Sequence, residues 1–263
     1  MLYCGGEVVY NIIMNKKLEK FNKKLETIER FLLGAHSCLC CRKECDGDND
    51  YRLCKDCMES IPFTKSNYCL RCGEIIKGDY DYCVKCKDRV YEFDYSRSVF
   101  AYNDLTAPII MNFKYNGCKS HAIYLARLLK DFYIKSDLVA DVVTYVPMPK
   151  NREKERGYNQ SYELAKEFSL LTEMKLIHSL VRVKENVKQA TLNAQERSEN
   201  IKGSFSVLDA KNVKDKDILI IDDVMTTGAT ANECAKVLYK AGADKVYSLC
   251  LSRAPRLAED FVE

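Results

Sequence analysis

Four C-x-x-C pairs crowd one short span of this chain: Cys38/Cys41, Cys54/Cys57, Cys69/Cys72 and Cys83/Cys86. Eight thiols so spaced leave the segment few ways to fold. Two such knuckles wrap one tetrahedral ion, and thiolates suit zinc. Closed Cys4 sites are structural, with no open position for chemistry. Iron–sulfur clusters take the same ligand set, whereas a disulfide scaffold belongs to small secreted chains. The opening MLYCGGEVVYNIIM has neither a basic stretch nor a long apolar core, which makes it a poor signal peptide. The cysteines therefore read as ligands for one or two structural zinc ions in a cytoplasmic protein. Sequential pairing of the knuckles closes the shorter loops at lower entropic cost and is preferred. Interleaved pairing, with the middle knuckles swapped, stays open. Cys40, Cys45 and His36 crowd the first knuckle, where one of them is an alternative ligand.

The rest of the chain reads as a folded body. Of 263 residues 47 % are hydrophobic, and the net charge of +3 is too small to argue nucleic-acid binding by itself. No run of eighteen apolar residues occurs, so no membrane insertion is expected. Leu18, Phe21, Leu25, Ile28 and Leu32 alternate spacings of three and four, which predicts an amphipathic helix over 15–34 packed on the chain's own body. Met14 is an alternative start. From 138 onward apolar runs alternate with helical text: DVVTYVP, SYELAKEFSLL, LVRV, DILIID, ATANECAKVLYKAG, KVYSLCL. That order argues βαβ units and a mostly parallel sheet, an α/β fold. The polar stretch 184–204 is long for a connection and reads as a lid or a disordered loop. The expected regions are an extension at 1–35, the cysteine segment at 36–90 and the α/β body at 91–263.

Within the body, ILIIDDVMTTGAT (218–230) joins a buried strand to a helix through two acids and a Thr-rich turn. Free N–H groups at such a turn cradle an anion. Thr226, Thr227 and Thr230 add hydroxyls, and Gly228 lets the backbone come close. Asp222 and Asp223 cannot face a phosphate, but they suit sugar hydroxyls and help place magnesium. A sugar 5-phosphate satisfies every part. The alternatives are an acidic strand end that caps the next helix, or another phosphate site. No Walker or Rossmann glycine motif occurs. The stretch resembles the binding motif for 5-phosphoribosyl 1-diphosphate (PRPP) in type I phosphoribosyltransferases.

A second constellation, VPMPKNREKERGYNQ (146–160), reads as a cationic loop at a strand's carboxyl end. It suits a pyrophosphate, or it is merely a solvated loop whose Glu153 and Glu155 cancel the charge. Together with LAKEF, this stretch is similar to the V-P-x-P…R-G-[FY]-N-Q…L-A pattern of the ComF family. Further marks are Lys114 to Gly117 (KYNG), then Gln189, Leu192, Arg197 and Asn200, then Phe205, and Cys72-Gly73 in the knuckles. The resemblance covers roughly residues 36–253; Cys40, Cys45 and the N-terminal extension depart from it.

The resemblance implies a type I phosphoribosyltransferase fold behind a zinc-finger front end, and an association with DNA uptake in natural competence. It implies that Asp222 and Asp223 hold the ribose hydroxyls as catalytic residues. Met225, Thr226, Thr227, Gly228, Ala229 and Thr230 would hold the 5-phosphate of PRPP. Lys150, Arg152 and Arg156 are candidates for the pyrophosphate, with Arg197 closing over it and magnesium bridging its oxygens. Nothing names the acceptor. Three functions follow: a transferase, a PRPP sensor without turnover, or a module binding single-stranded DNA or a competence helicase. Tyr51, Tyr68, Tyr80 and Tyr82 among the knuckles either stack bases or pack around the metal sites.

Overall fold

The computed structural model describes residues 37–45, 50–65, 67–76, 78, 80–88, 91–115, 117–184 and 199–254. The expected helix at 15–34, Met14, His36, Gln189, Leu192 and Arg197 lie outside them.

Five parallel strands form the body. They are β1 (Tyr95–Ala101), β2 (Val142–Tyr145), β3 (Lys175–Leu176), β6 (Asp217–Met225) and β7 (Lys245–Arg253), in the spatial order β1-β7-β6-β2-β3. The register aligns Val142 with Ile218, Ile218 with Val246 and Tyr95 with Tyr247. β6 is apolar on both faces, as a doubly covered parallel strand must be. Leu219 and Ile221 belong to one buried cluster, Ile218 and Ile220 to the other.

The helices cover these faces by their apolar stripes. α3 (Ala107–Tyr115), α4 (Ala122–Lys135) and α6 (Gln160–Thr172) bring Ile110, Leu125, Leu129, Leu164 and Phe168 to the first cluster. α7 (Ala229–Lys240) brings Ala231, Cys234, Ala235 and Leu238 to the second, at helical spacing. LVRV does not join the parallel sheet. It forms β4 (Leu180–Arg182), antiparallel to β5 (Phe205–Val207) in a separate two-stranded sheet at the base of the polar stretch.

The cationic stretch expected as a loop is a short helix, α5 (Lys150–Arg156). Its Lys, Arg and Glu are good helix formers. Gly157 stops it in the left-handed conformation (φ 83°), its N–H returning to the Glu153 carbonyl.

The cysteine segment is built twice. Each half starts with a tight turn, at Cys38–Cys41 or Cys69–Cys72. Each then places its second pair at the start of a helix, α1 (Lys55–Ser60) or α2 (Val84–Asp88). The turns match bond for bond: Cys38 N donates to Lys43 O and Cys69 N to Glu74 O, both at 2.7 Å. The residue after each turn has positive φ, Arg42 at 66° and Gly73 at 69°.

This segment lies along the free edge of β1. Ser96 N donates to Arg71 O, Thr64 N to Val99 O and Ala101 N to Pro62 O. Arg97, fully buried, pins the second half to the body. It donates to both oxygens of Asp137 (3.2 and 2.7 Å) and to the Leu70 carbonyl (2.7 Å), beneath the ring of Tyr68.

Gly73 touches that edge most closely. A Cβ there would stand 2.6 Å from the Ser96 carbonyl oxygen. A side chain at this φ alone costs about 1–3 kcal/mol. Gly73→Ala should therefore lower the melting temperature by several degrees, whereas a change confined to the open side of a knuckle should not; thermal unfolding checks this.

Candidate functional site

Strand order reverses between β2 and β6, since the chain goes from β2 to β3 on one side and later fills the other side with β6 and β7. Ligands of open α/β sheets bind outside the carboxyl ends of strands at such a switch point. Asp222, Asp223 and the turn 226–228 all stand there. β6 runs on through the acids to Met225, paired with β7 as far as Arg253.

Neighbours on a strand face opposite ways, and the two acids have different partners. Asp222 accepts a hydrogen bond from Ser161 Oγ at 2.7 Å and from the Asp223 backbone N–H at 2.9 Å. Burial, and then the charge of Asp223, push its pKa up from 3.8 to about 7. Asp223 instead faces α3, where Lys114 Nζ lies 3.2 Å from its carboxylate.

The turn beyond is shaped by packing. Gly228 caps α7 at φ 81°, and a Cβ there would meet Met225 Cε at 3.0 Å and Tyr91 Cε1 at 3.2 Å. Tyr91 stacks on Phe93 and donates to the Thr227 carbonyl at 3.1 Å. Thr226 is exposed, Thr227 and Thr230 are half-buried, and Ala229 is buried. The Met225 side chain is buried and its sulfur accepts from Ser96 Oγ, so that side chain belongs to the core. On α5, Lys150 is exposed and Arg152 half-buried. Arg156 lies over the Tyr115 ring and donates to Gln160 Oε1 at 3.2 Å.

RGYNQ proves to be a bracket between β2 and α3. Tyr158 donates its hydroxyl to the Phe113 carbonyl. Asn159 caps α6 and donates to the Val146 carbonyl at 3.1 Å. Gln160, wholly buried, reaches the Lys114 carbonyl at 3.4 Å. These bonds hold the segment that carries Lys114 over Asp223. Sequence reasoning missed Ser161 and Glu233. Buried Glu233 on α7 accepts from Gly203 N–H at 2.7 Å and anchors the end of the polar stretch. A polar residue two positions past a helix cap was the only available signal for Ser161.

The cysteine sulfurs gather in sequential pairs. One set is Cys38, Cys41, Cys54 and Cys57, the other Cys69, Cys72, Cys83 and Cys86, each with all four Sγ within 4.8 Å of one another. Sulfurs about 2.3 Å from one tetrahedral ion stand about 3.8 Å apart. Cys41 and Cys54 are 3.6 Å apart, Cys72 and Cys83 3.8 Å. The donor set thus suits zinc. Arg253 Nη2 lies 3.8 Å from Cys72 Sγ while pairing with Glu74, which offsets thiolate charge at the second set. Cys40 is not one of the first set; its thiol donates to the Leu105 carbonyl.

With this geometry in place, comparisons with known proteins are decisive. A phosphoribosyl transferase domain model matches residues 127–260, about half of the chain. Competence protein F of Haemophilus influenzae is 30 % identical over 209 residues, 77 % of this chain and 90 % of that one. The chain belongs to the ComF family. Its parallel sheet and flanking helices are the type I phosphoribosyltransferase fold, with the two Cys4 clusters before it. Two further ComF relatives are competence protein ComFC of Bacillus subtilis and DNA utilization protein YhgH of Escherichia coli. The first is 29 % identical over 78 % of this chain and 85 % of its own, the second 27 % over 76 % and 90 %. Among the described residues no helix is long and apolar enough to cross a membrane.

Two measurements test the site's physics. Asp222 is protonated more readily folded than unfolded, so its contribution favours the folded state at low pH and is lost as pH rises through about 7. Asp222→Asn should melt above the wild type by a margin that is small at pH 5 and widens up to pH 8.5. Equal melting at both pH values would remove burial as the cause. Metal analysis should return two zinc ions per chain. Chelation should unfold the body together with the knuckles, because Cys38 and Cys57 share a buried cluster with Leu219, and Cys69 and Cys72 with Ile218.

Proposed function

We propose that this ComF protein binds PRPP with magnesium at the carboxyl ends of β2 and β6 and transfers phosphoribosyl to an acceptor, releasing pyrophosphate. The observation that carries this reading is the placement of Asp222, Asp223 and the Gly228 turn together at the switch point. The first turn of α7 and Thr226, Thr227 and Thr230 take the 5-phosphate, through hydroxyls and backbone N–H groups. Asp223 and Asp222 accept from the ribose hydroxyls. Lys114, free to swing from Asp223 once a diol replaces it, faces the phosphates with Lys150, Arg152 and Arg156, and Arg197 closes from the polar stretch. Magnesium, when bound, neutralises charge on the pyrophosphate oxygens. Among the described residues the acidic pair belongs to no group of three metal-ligating side chains. Displacement at the anomeric carbon passes through an oxocarbenium-like state. The chain's task is then positioning and charge stabilisation rather than strong base catalysis.

A second reading is handling of single-stranded DNA in uptake, in the cytoplasm beside a competence helicase. The names of the H. influenzae, B. subtilis and E. coli relatives favour it. So does the second cysteine half, where Tyr80 and Tyr82 are exposed and Lys87 lies over the Tyr80 ring. Tyr51 and Tyr68 serve the fold instead, the first on Asp131 and the second against Arg97.

Calorimetry with PRPP and magnesium should show binding that Asp222→Asn/Asp223→Asn weakens at least tenfold. Undiminished binding by that variant would end the proposal for this site. Pyrophosphate release that requires an added acceptor would establish transfer. Tyr80→Ala/Tyr82→Ala tests the second reading. Loss of oligothymidylate affinity supports it, and unchanged affinity removes stacking at these two residues.

A further inference from the structure

A cavity of about 620 Å³ lies away from the acidic pair, between the first cysteine turn and the segment Gly117–His121. Arg42, Arg52, Lys119 and His121 line it. Both arginines have positive φ, 66° and 53°, and they are two of the four such non-glycine residues among those described. The matching position in the second half is Gly73, where a side chain has no room. In the first half the same turn carries an arginine in a conformation that costs about 1–3 kcal/mol. Neither guanidinium meets a carboxylate or a cysteine sulfur among the described residues. Arg42 Nη2 donates to Asn112 Oδ1 at 2.5 Å and Arg52 Nε to the Ser37 carbonyl at 3.1 Å, which holds both side chains in place. Arg253 at the second metal set behaves differently, since it touches a ligand sulfur.

His121 supplies the independent sign. It is more than nine-tenths buried and lines the cavity, and among the described residues its enclosed Nδ1 has no hydrogen-bond partner. Leaving such a group unsatisfied costs about 1–3 kcal/mol, a cost that a polar occupant of the cavity would relieve once the ring turns toward it. Burial, then the charges of Arg52 and Arg42, lower its pKa to about 4, which keeps the ring neutral at pH 7. A neutral imidazole pairs with a hydroxyl or N–H, and two planar guanidinium groups pair with the oxygens of a phosphate.

We propose that this cavity is a second ligand site, separate from the switch point, which takes the phosphate of a nucleotide unit between Arg42 and Arg52 with a ligand hydroxyl or N–H on His121. The unit arrives either as a free mononucleotide or as part of a nucleic-acid strand. Both present the same phosphate chemistry, and the volume exceeds what a bare phosphate needs.

The test uses the full-length zinc-loaded protein and three probes: inorganic phosphate, AMP and oligothymidylate. Binding is read by calorimetry, and in the wild type also by protection of Cys118, which lines the same cavity, from alkylation, located by peptide mass spectrometry. AMP or oligothymidylate should bind and protect Cys118. Arg52→Gln should weaken that binding at least tenfold, and Asp222→Asn/Asp223→Asn should leave it unchanged. Zinc content and melting establish that Arg52→Gln is folded, and the wild-type protection stands even if it is not. AMP without the oligomer identifies a free nucleotide, and the oligomer without AMP identifies a strand. Binding that leaves Cys118 unprotected, or no binding by any probe, overturns the proposal.

Discussion

A parallel sheet must be covered on both faces and closed at its edges, and this chain meets that constraint with cysteine-rich loops where helices run out. α3, α4 and α6 cover one face and α7 much of the other. Among the described residues the outer edge of β1 has no neighbouring strand, yet its backbone groups are paired through Pro62, Thr64 and Arg71 of the cysteine segment. An open edge invites pairing with other chains. Here it is closed by loops whose own shape depends on eight thiols. Arg97 shows how strictly that closure is enforced: a fully buried guanidinium is tolerated only because Asp137 and the Leu70 carbonyl occupy its donors.

Closing that edge matters at the far end of the strands. Tyr91 and Phe93, which lead out of the cysteine segment, stack and bear on Gly228 and the Thr227 carbonyl. The turn proposed to hold a phosphate is thus braced by residues that enter the body directly from the metal-binding half. On the opposite face the RGYNQ bracket fixes α3 and with it Lys114. The two walls of the site are set by different parts of the chain, and neither wall is made by β6 itself.

Much of this was legible in the sequence. The period of apolar residues marked β2, β6, β7, α6 and α7 close to where they lie, because both strands and helices here are buried against a single sheet. The C-x-x-C spacing marked both metal sets, and the cheaper loop closure pointed to the pairing observed. Helix α5 was misread because its alternating charges carry no apolar stripe. A surface helix of seven residues needs none. LVRV looked like another parallel strand because a short apolar run does not say which sheet it joins. Ser161 and Glu233 were silent for another reason. Each earns its role from a partner far along the chain, Asp222 or Gly203, and nothing local announces it.

The pairing of β1 with β7 carries a consequence for biosynthesis. β1 is followed directly by α3, but among the described residues its only strand neighbour is β7, residues 245–253. A ribosome releases the cysteine segment and β1 long before β7 exists. During that interval the nascent chain has an apolar strand with one side unoccupied. The cysteine knuckles are local structures that a metal ion could close as soon as their own thiols emerge. If the knuckles take up zinc during translation, β1 would wait as a capped ribbon rather than as exposed, aggregation-prone chain.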